Sequence, residues 1–231
     1  VTRGGSRAEG AVHPDVRGRG IGSWLVDWTE SRARDHGAVT VGQSTPEGSA
    51  AQRLLLDRGY RLGHTSWVLQ LPGGREVPER TLPPGYTLGH CPDAQRELSA
   101  YEVIQEAFCE WEGRERETYE DWAATTVRRP GTQPWQLRVV EHGGSVVGAS
   151  FTILDMQGTG YLHQLAVDRR HRGRGLAQAM LADAFERARE EGATHSELST
   201  DSRTGALDLY RKVGMEVTQT WTHLVIDLPR A

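Results

Sequence analysis

Leu165-Ala166-Val167-Asp168-Arg169-Arg170-His171-Arg172-Gly173-Arg174-Gly175-Leu176-Ala177 is the stretch that decides how this chain is read. A short apolar run closes a strand, a charged turn follows, and two glycines open a segment of helical period. In that segment Leu176, Met180, Leu181, Ala184, Phe185 and Ala188 share one face. The first turn of a helix presents unpaired N–H groups and a partial positive charge. Glycine lets main chain approach a phosphate closely, so the stretch reads as an anion cradle to which Arg172 and Arg174 add charge. A dinucleotide fingerprint needs different glycine spacing after the first strand of a βαβ unit, and a P-loop needs Lys-Ser/Thr after its last glycine. An arginine-rich turn that merely caps a helix is the competing reading.

The cradle occurs twice. Shifted by 155 residues, Ala11–Leu71 falls on Ala166–Ile226 without a gap, and 18 of 61 paired positions are identical. Arg17-Gly18-Arg19-Gly20 falls on Arg172-Gly173-Arg174-Gly175, Ser44-Thr45 on Ser199-Thr200, and Gly59 on Gly214. So long a period argues for duplicated domains and against a solenoid. The second copy begins near Tyr86, so the same stretch of the first would begin about 70 residues before Val1. The expectation is therefore residues 1–72 as the C-terminal half of a degenerate domain, a proline- and glycine-rich linker at 73–85, and one complete domain at 86–231. A fragment of a longer protein, or completion by another chain, would account for the half. In either case the apolar face of residues 11–71 should be exposed and ragged, docked on the complete domain, or covered by a partner.

Outward from the repeat, the composition is that of a soluble globular chain: 231 residues, 37% hydrophobic, 25% charged, net charge −4. A polyanion binder would be basic, which argues against nucleic acid as partner. No apolar run is long enough to span a bilayer, and Val1–Ser6 lacks the apolar stretch of a signal peptide. A cytoplasmic setting is the expectation. Cys91 and Cys109 have neither metal-site nor disulfide-framework spacing.

In the complete copy the pattern predicts a strand at Tyr86–His90 and a helix opened by Pro92-Asp93 with Leu98, Tyr101, Ile104 and Phe108 at helical spacing. A shorter helix follows over Thr118–Val127. Strands follow at Gln136–Glu141, Ser145–Asp155 and Tyr161–Val167, then a helix to about Glu191. His195–Thr200 reads as a strand, Thr204–Val213 as a helix, and Glu216–Leu228 as one or two strands. An antiparallel meander followed by crossovers implies an α+β fold with a mixed sheet flanked by helices.

Arg172-x-x-Gly175-x-Ala177, Arg17-x-x-Gly20-x-Gly22 and Ala206-Leu207-Asp208-Leu209-Tyr210-Arg211-Lys212-Val213-Gly214-Met215 together resemble the signatures of the GNAT N-acetyltransferase superfamily. The tandem arrangement resembles the mycothiol synthase type within it, with the first domain truncated. The resemblance implies acetyl-CoA as co-substrate, no metal, and direct attack of a primary amine, on a small molecule or peptide, at the thioester. It places the pyrophosphate grip on Arg172, Gly173, Arg174, Gly175, Leu176 and Ala177, and the carbonyl polariser on the main chain of Leu165, Ala166 and Val167. It makes Tyr210 the acid for the leaving thiolate; a core aromatic is the alternative. The position where many members carry a glutamate base is His163 here. An imidazole suits that role near neutral pH, and simple alternation puts residues 163, 165 and 167 on one face. A carboxylate from the two-helix region opened by Pro92-Asp93 and closed by Thr118–Val127, or a water relay, competes with it. Where members often carry asparagine this chain has Arg203, which would reach a phosphate instead.

The acceptor side is expected in Phe108-Cys109-Glu110-Trp111-Glu112-Gly113 and Tyr119-Glu120-Asp121-Trp122, with Glu110, Trp111 and Trp122 as substrate residues. A solvated helix face over buried aromatics is the equal alternative. In the front repeat Leu55 stands where Tyr210 does, so that half reads as a coenzyme-binding or structural remnant. A non-catalytic acetyl-CoA-binding module remains the alternative function, and a homodimer is compatible with either.

Overall fold

The computed structural model describes residues 6–78, 80–111 and 114–229; Glu112 and Gly113 of the acceptor-side segment, and both chain ends, lie outside them. Along the chain run α1 (Ile21–Asp35), β1 (Thr40–Pro46), α2 (Ala50–Asp57), β2 (Arg61–Leu71), β3 (Tyr86–His90) and α3 (Ala94–Phe108). Then come α4 (Tyr119–Thr125), β4 (Leu137–His142), β5 (Ser145–Leu154), β6 (Thr159–Val167), α5 (Leu176–Glu190), β7 (His195–Asp201), α6 (Leu207–Lys212) and β8 (Glu216–Asp227). The expected α+β class and element order hold, and Glu216–Asp227 is one strand. Short 3-10 turns at Pro14–Val16, Pro134–Gln136 and Arg169–His171 were not legible beforehand. Among the described residues no helix is long and apolar enough to cross a membrane.

By packing, the chain forms two units. The first comprises, among described residues, 6–67, 201–203 and 218–229; the second comprises 68–200 and 204–217. In the first, β1 pairs antiparallel with β8 from Thr40↔Asp227 to Pro46↔Trp221. Its core gathers Val26, Ala33, Val41, Leu55 and Tyr60 with Leu224 and Leu228. The front repeat thus pairs with the last strand of the second repeat. One face of α1 stays open: Trp24 is 61% and Trp28 48% exposed, with Ile21 beside them.

In the second unit the order is β2-β7-β6-β5-β4-β3, with β2 contributing Val68–Leu71. The meander is antiparallel, and β6 pairs parallel with β7. Strand β5 is buried over most of its length because helices cover both faces. Ala149 and Phe151 join Ile104 and Trp122 on one side, while Val147 joins Leu176 and Met180 of α5 on the other. Helix α3 starts where the Asp93 carboxylate accepts the Arg96 N–H at 2.8 Å, and α4 where the Thr118 hydroxyl accepts that of Asp121 at 3.1 Å.

Candidate active site

The site is assembled by a strand that loses a neighbour. Pairing of β6 with β7 runs from Thr159↔His195 to Leu162↔Leu198 and stops. Beyond Leu162, β6 keeps β5 on one side as far as Val167↔Gly148. On the side turned from β5, the main chain of residues 163–167 has no β7 pairing. Leu165, Ala166 and Val167 lie in this stretch.

At the end of β6 the turn Arg169–His171 leads into Arg172, and Gly173 and Gly175 follow at φ 74° and 81°. Those are left-handed conformations that a side chain disfavours. Gly175 is the N-cap of α5, and no side chain caps it. The first-turn N–H groups of Leu176, Ala177 and Gln178 are therefore available to an anion. A Cβ added at Gly173 would meet open space. The backbone thus has the conformation, polarity and room a diphosphate requires.

Arg172 is fully engaged. Its Nε donates to the Val167 carbonyl at 2.9 Å, and its two terminal nitrogens donate to the Glu110 carboxylate at 2.8 Å each. The fork lowers the Glu110 pKa and raises that of Arg172. Glu110, expected to face substrate, here braces the cradle. Next to it a cavity of about 250 Å³ opens between α3 (Val103, Ala107) and the loop (Asp168, Arg169). Asp168 starts the turn by accepting the Arg170 N–H at 2.8 Å. The Arg170 guanidinium, above all, holds the Asp168 carboxyl down at about 2. The hydroxyl of Tyr86 bonds His171 Nδ1 at 2.8 Å and its ring stacks on His142. Neither Tyr86 nor His171 was singled out in the sequence; only their aromatic character hinted at a role.

His163 sits at a β-bulge. The register steps from Gln164↔Phe151 to Leu162↔Thr152, so His163 faces no partner residue. The bulge breaks the simple alternation expected for 163, 165 and 167. Leu165 and Val167 pack in the α5 cluster, whereas the imidazole lies 6.4 Å from the Phe151 ring and 6.3 Å from that of Tyr161. The residue is exposed to solvent. Partial loss of water lowers its pKa, opposed by the charge of Glu117 and aided by Arg129 and Arg114. It is thus held neutral at neutral pH. Glu117 itself is pinned: its N–H donates to the buried Gln105 at 3.0 Å, and its carbonyl accepts the Tyr101 hydroxyl at 2.6 Å. Its carboxylate lies between α3 and α4, the region from which a competing base was expected.

Tyr210 lies on α6, and its hydroxyl has no hydrogen-bond partner among the described residues. Burial pushes its pKa up to about 12. Trp122 is 0% exposed, with its indole N–H donated to Gln164 at 2.9 Å. This is the buried-aromatic alternative for that position. Trp111 stacks on Phe108 with Arg114 over the Phe108 ring. Arg203 forks onto Asp201 at 3.1 and 2.6 Å and belongs to the first unit; its terminal charge is answered there. A hollow of about 370 Å³ bordered by residues 129–132 and 153–157 holds none of the residues singled out in the sequence.

Comparison with known proteins meets this geometry. The family model described as Acetyltransferase (GNAT) family matches residues 9–60 and 98–215. A mycothiol acetyltransferase of Thermomonospora curvata is 27% identical over 219 residues, covering 91% of this chain and 70% of that protein. A solved GCN5-related N-acetyltransferase from Sphaerobacter thermophilus is 31% identical with a TM-score of 0.84, covering 99% of this chain and 75% of that one. A tandem GNAT protein from the clavulanic acid biosynthesis pathway, 18% identical, shares the fold at a TM-score of 0.74 over 97% of this chain and 75% of that one.

Proposed function

The chain belongs to the GNAT acetyltransferase family and is an acyltransferase, and from that premise we propose that it moves an acetyl group from acetyl-CoA to a primary amine by direct attack on the thioester. One observation carries the reading. A strand that loses β7 beyond Leu162 leads through a glycine loop into a helix whose N-cap, Gly175, receives no side-chain hydrogen bond. Acetyl-CoA supplies the activated acyl group. The first turn of α5 and the glycines Gly173 and Gly175 hold its diphosphate. On the side that β7 does not pair, the main chain of Leu165–Val167 offers donors to the carbonyl oxygen, where charge develops.

His163 takes the proton from the amine. Its lowered pKa keeps the imidazole free to accept at neutral pH. Tyr210 holds its proton at every working pH, because its pKa is about 12. Burial that weakens the phenol as an acid also raises the proton affinity of a thiolate formed in the same apolar surroundings. The transfer is therefore less uphill than solution values suggest. The acceptor is a small molecule or peptide bearing a primary amine, met by Glu117, whose charge acts on His163.

The test is thiol release from acetyl-CoA with a panel of primary amines, each product checked by mass. Release that requires an amine and yields the acetylated amine supports the proposal. Release that is equal with and without amine, or absent throughout, contradicts it.

A further inference from the structure

We infer that Arg80, in the segment joining the two repeats, is a phosphate-gripping residue of the α5 cradle. This rests on the acetyl-CoA reading above and adds a group lying outside both signature motifs. A Cβ added at Gly175 would overlap Arg80 Nε and lie 3.0 Å from Arg80 Cζ, so the guanidinium rests against the N-cap of α5. Arg80 Nη1 donates to Gln178 Oε1, in the first turn of that helix, at 3.1 Å. Among the described residues no carboxylate answers its charge.

A cation against the positive end of a helix is electrostatically misplaced. An anion between the two reverses the sign of both interactions at once. Arg172 has its charge answered by Glu110, and Arg80 supplies a further cation for a phosphate at Gly175. Arg80 is presented for that purpose by anchored flanks. Val77 is buried on one side of it, Leu82 packs on the cluster built around Val140, Val147, Val167, Leu176 and Met180 on the other, and Tyr86 is tied to the cradle loop through His171. A diphosphate would lie between the α5 N–H groups and this guanidinium.

The test uses the whole protein and two acetyl donors, acetyl-CoA and S-acetylpantetheine, which keeps the thioester and lacks the nucleotide phosphates. Arg80→Ala should weaken coenzyme A binding in calorimetry about tenfold, the weight of one charge-assisted hydrogen bond, and Arg80→Lys should recover part of the loss. The ratio of kcat/KM for acetyl-CoA to that for S-acetylpantetheine should fall about tenfold in Arg80→Ala. The melting temperature should not move, because Arg80 is exposed. A wild-type protein that binds coenzyme A and an Arg80→Ala variant that binds equally would overturn the role of Arg80 alone. Equal losses on both donors would make the residue merely structural and overturn it too. A wild-type protein that does not bind coenzyme A would remove the acetyl-CoA reading and this inference with it.

Discussion

The cradles of the two repeats share one backbone and differ in everything brought to it. Arg17 Nε donates to Val12 O at 3.1 Å, as Arg172 Nε does to Val167 O at 2.9 Å. Gly18 and Gly20 stand at φ 75° and 79°, Gly173 and Gly175 at 74° and 81°, and each pair opens a helix of 15 residues. Among the described residues only the second cradle has its arginine forked onto a carboxylate, Glu110, and a second guanidinium, Arg80, against its N-cap. Trp24 of α1 is exposed where the matching Ala179 of α5 is buried. Leu55 packs in the first core, 2% exposed, at the repeat position that Tyr210 holds in the second. The arginine-glycine pattern therefore encodes a main-chain shape locally, and side chains from distant segments supply the chemistry.

The sharpest way to break this comparison is to disrupt both cradles equally. Gly175→Val should lower acetyl-CoA-dependent turnover by about 10²-fold or more, because a mispositioned substrate loses rate steeply. Gly20→Val should leave turnover within about twofold of wild type and pay only the left-handed backbone penalty of about 1–2 kcal/mol, which both variants share. Parallel kcat/KM and melting measurements check this, and equal losses of turnover would end the distinction between the repeats.

The paired positions Tyr210 and Leu55 sharpen it further. Tyr210→Phe should reduce kcat by about 10²-fold, in the range of lost acid–base catalysis, with acetyl-CoA affinity unchanged in calorimetry. Leu55→Ala should do the reverse, lowering stability by about 2–5 kcal/mol through a cavity in the first core while kcat stays put. A Tyr210→Phe enzyme of full activity would return that residue to a packing role.

How much of this was legible follows from what is local. The glycines at 173 and 175, the N-cap residues Asp93 and Thr118, and the 155-residue period all act within a few residues or by direct likeness, so the sequence displays them. The Glu110–Arg172 fork spans 62 residues and the Tyr86–His171 bond 85. No periodicity announces such pairs. The segment at 73–85 read as a spacer because prolines and glycines dominate it, yet Val77 and Leu82 pack and Arg80 meets the cradle. The bulge at His163 was hidden because one extra residue leaves no compositional trace.

Two smaller effects concern pH. Burial lowers the pKa of His163 from its ordinary value. The acid limb of kcat/KM should therefore lie below pH ~6.5 and flatten in His163→Gln; an unchanged limb would give the base role to another group. In the first unit His223 stacks on His64 at 4.5 Å, and burial lowers its pKa to about 4. The folded imidazole stays neutral where an unfolded one, with pKa ~6.5, takes up a proton. Stability should thus decline as pH falls from about 6.5 toward 4, by a few degrees of melting temperature, and His223→Gln should blunt the decline. A wild-type melting temperature constant over that window would contradict the assignment.

Hydrogen–deuterium exchange with saturating coenzyme A tests most directly whether the second cradle is the one that grips it. Peptides covering Leu165–Ala177 should exchange more slowly in the presence of the ligand, while those covering Ala11–Gly22 should be unchanged. Protection confined to Ala11–Gly22, or absent from both, would contradict the account.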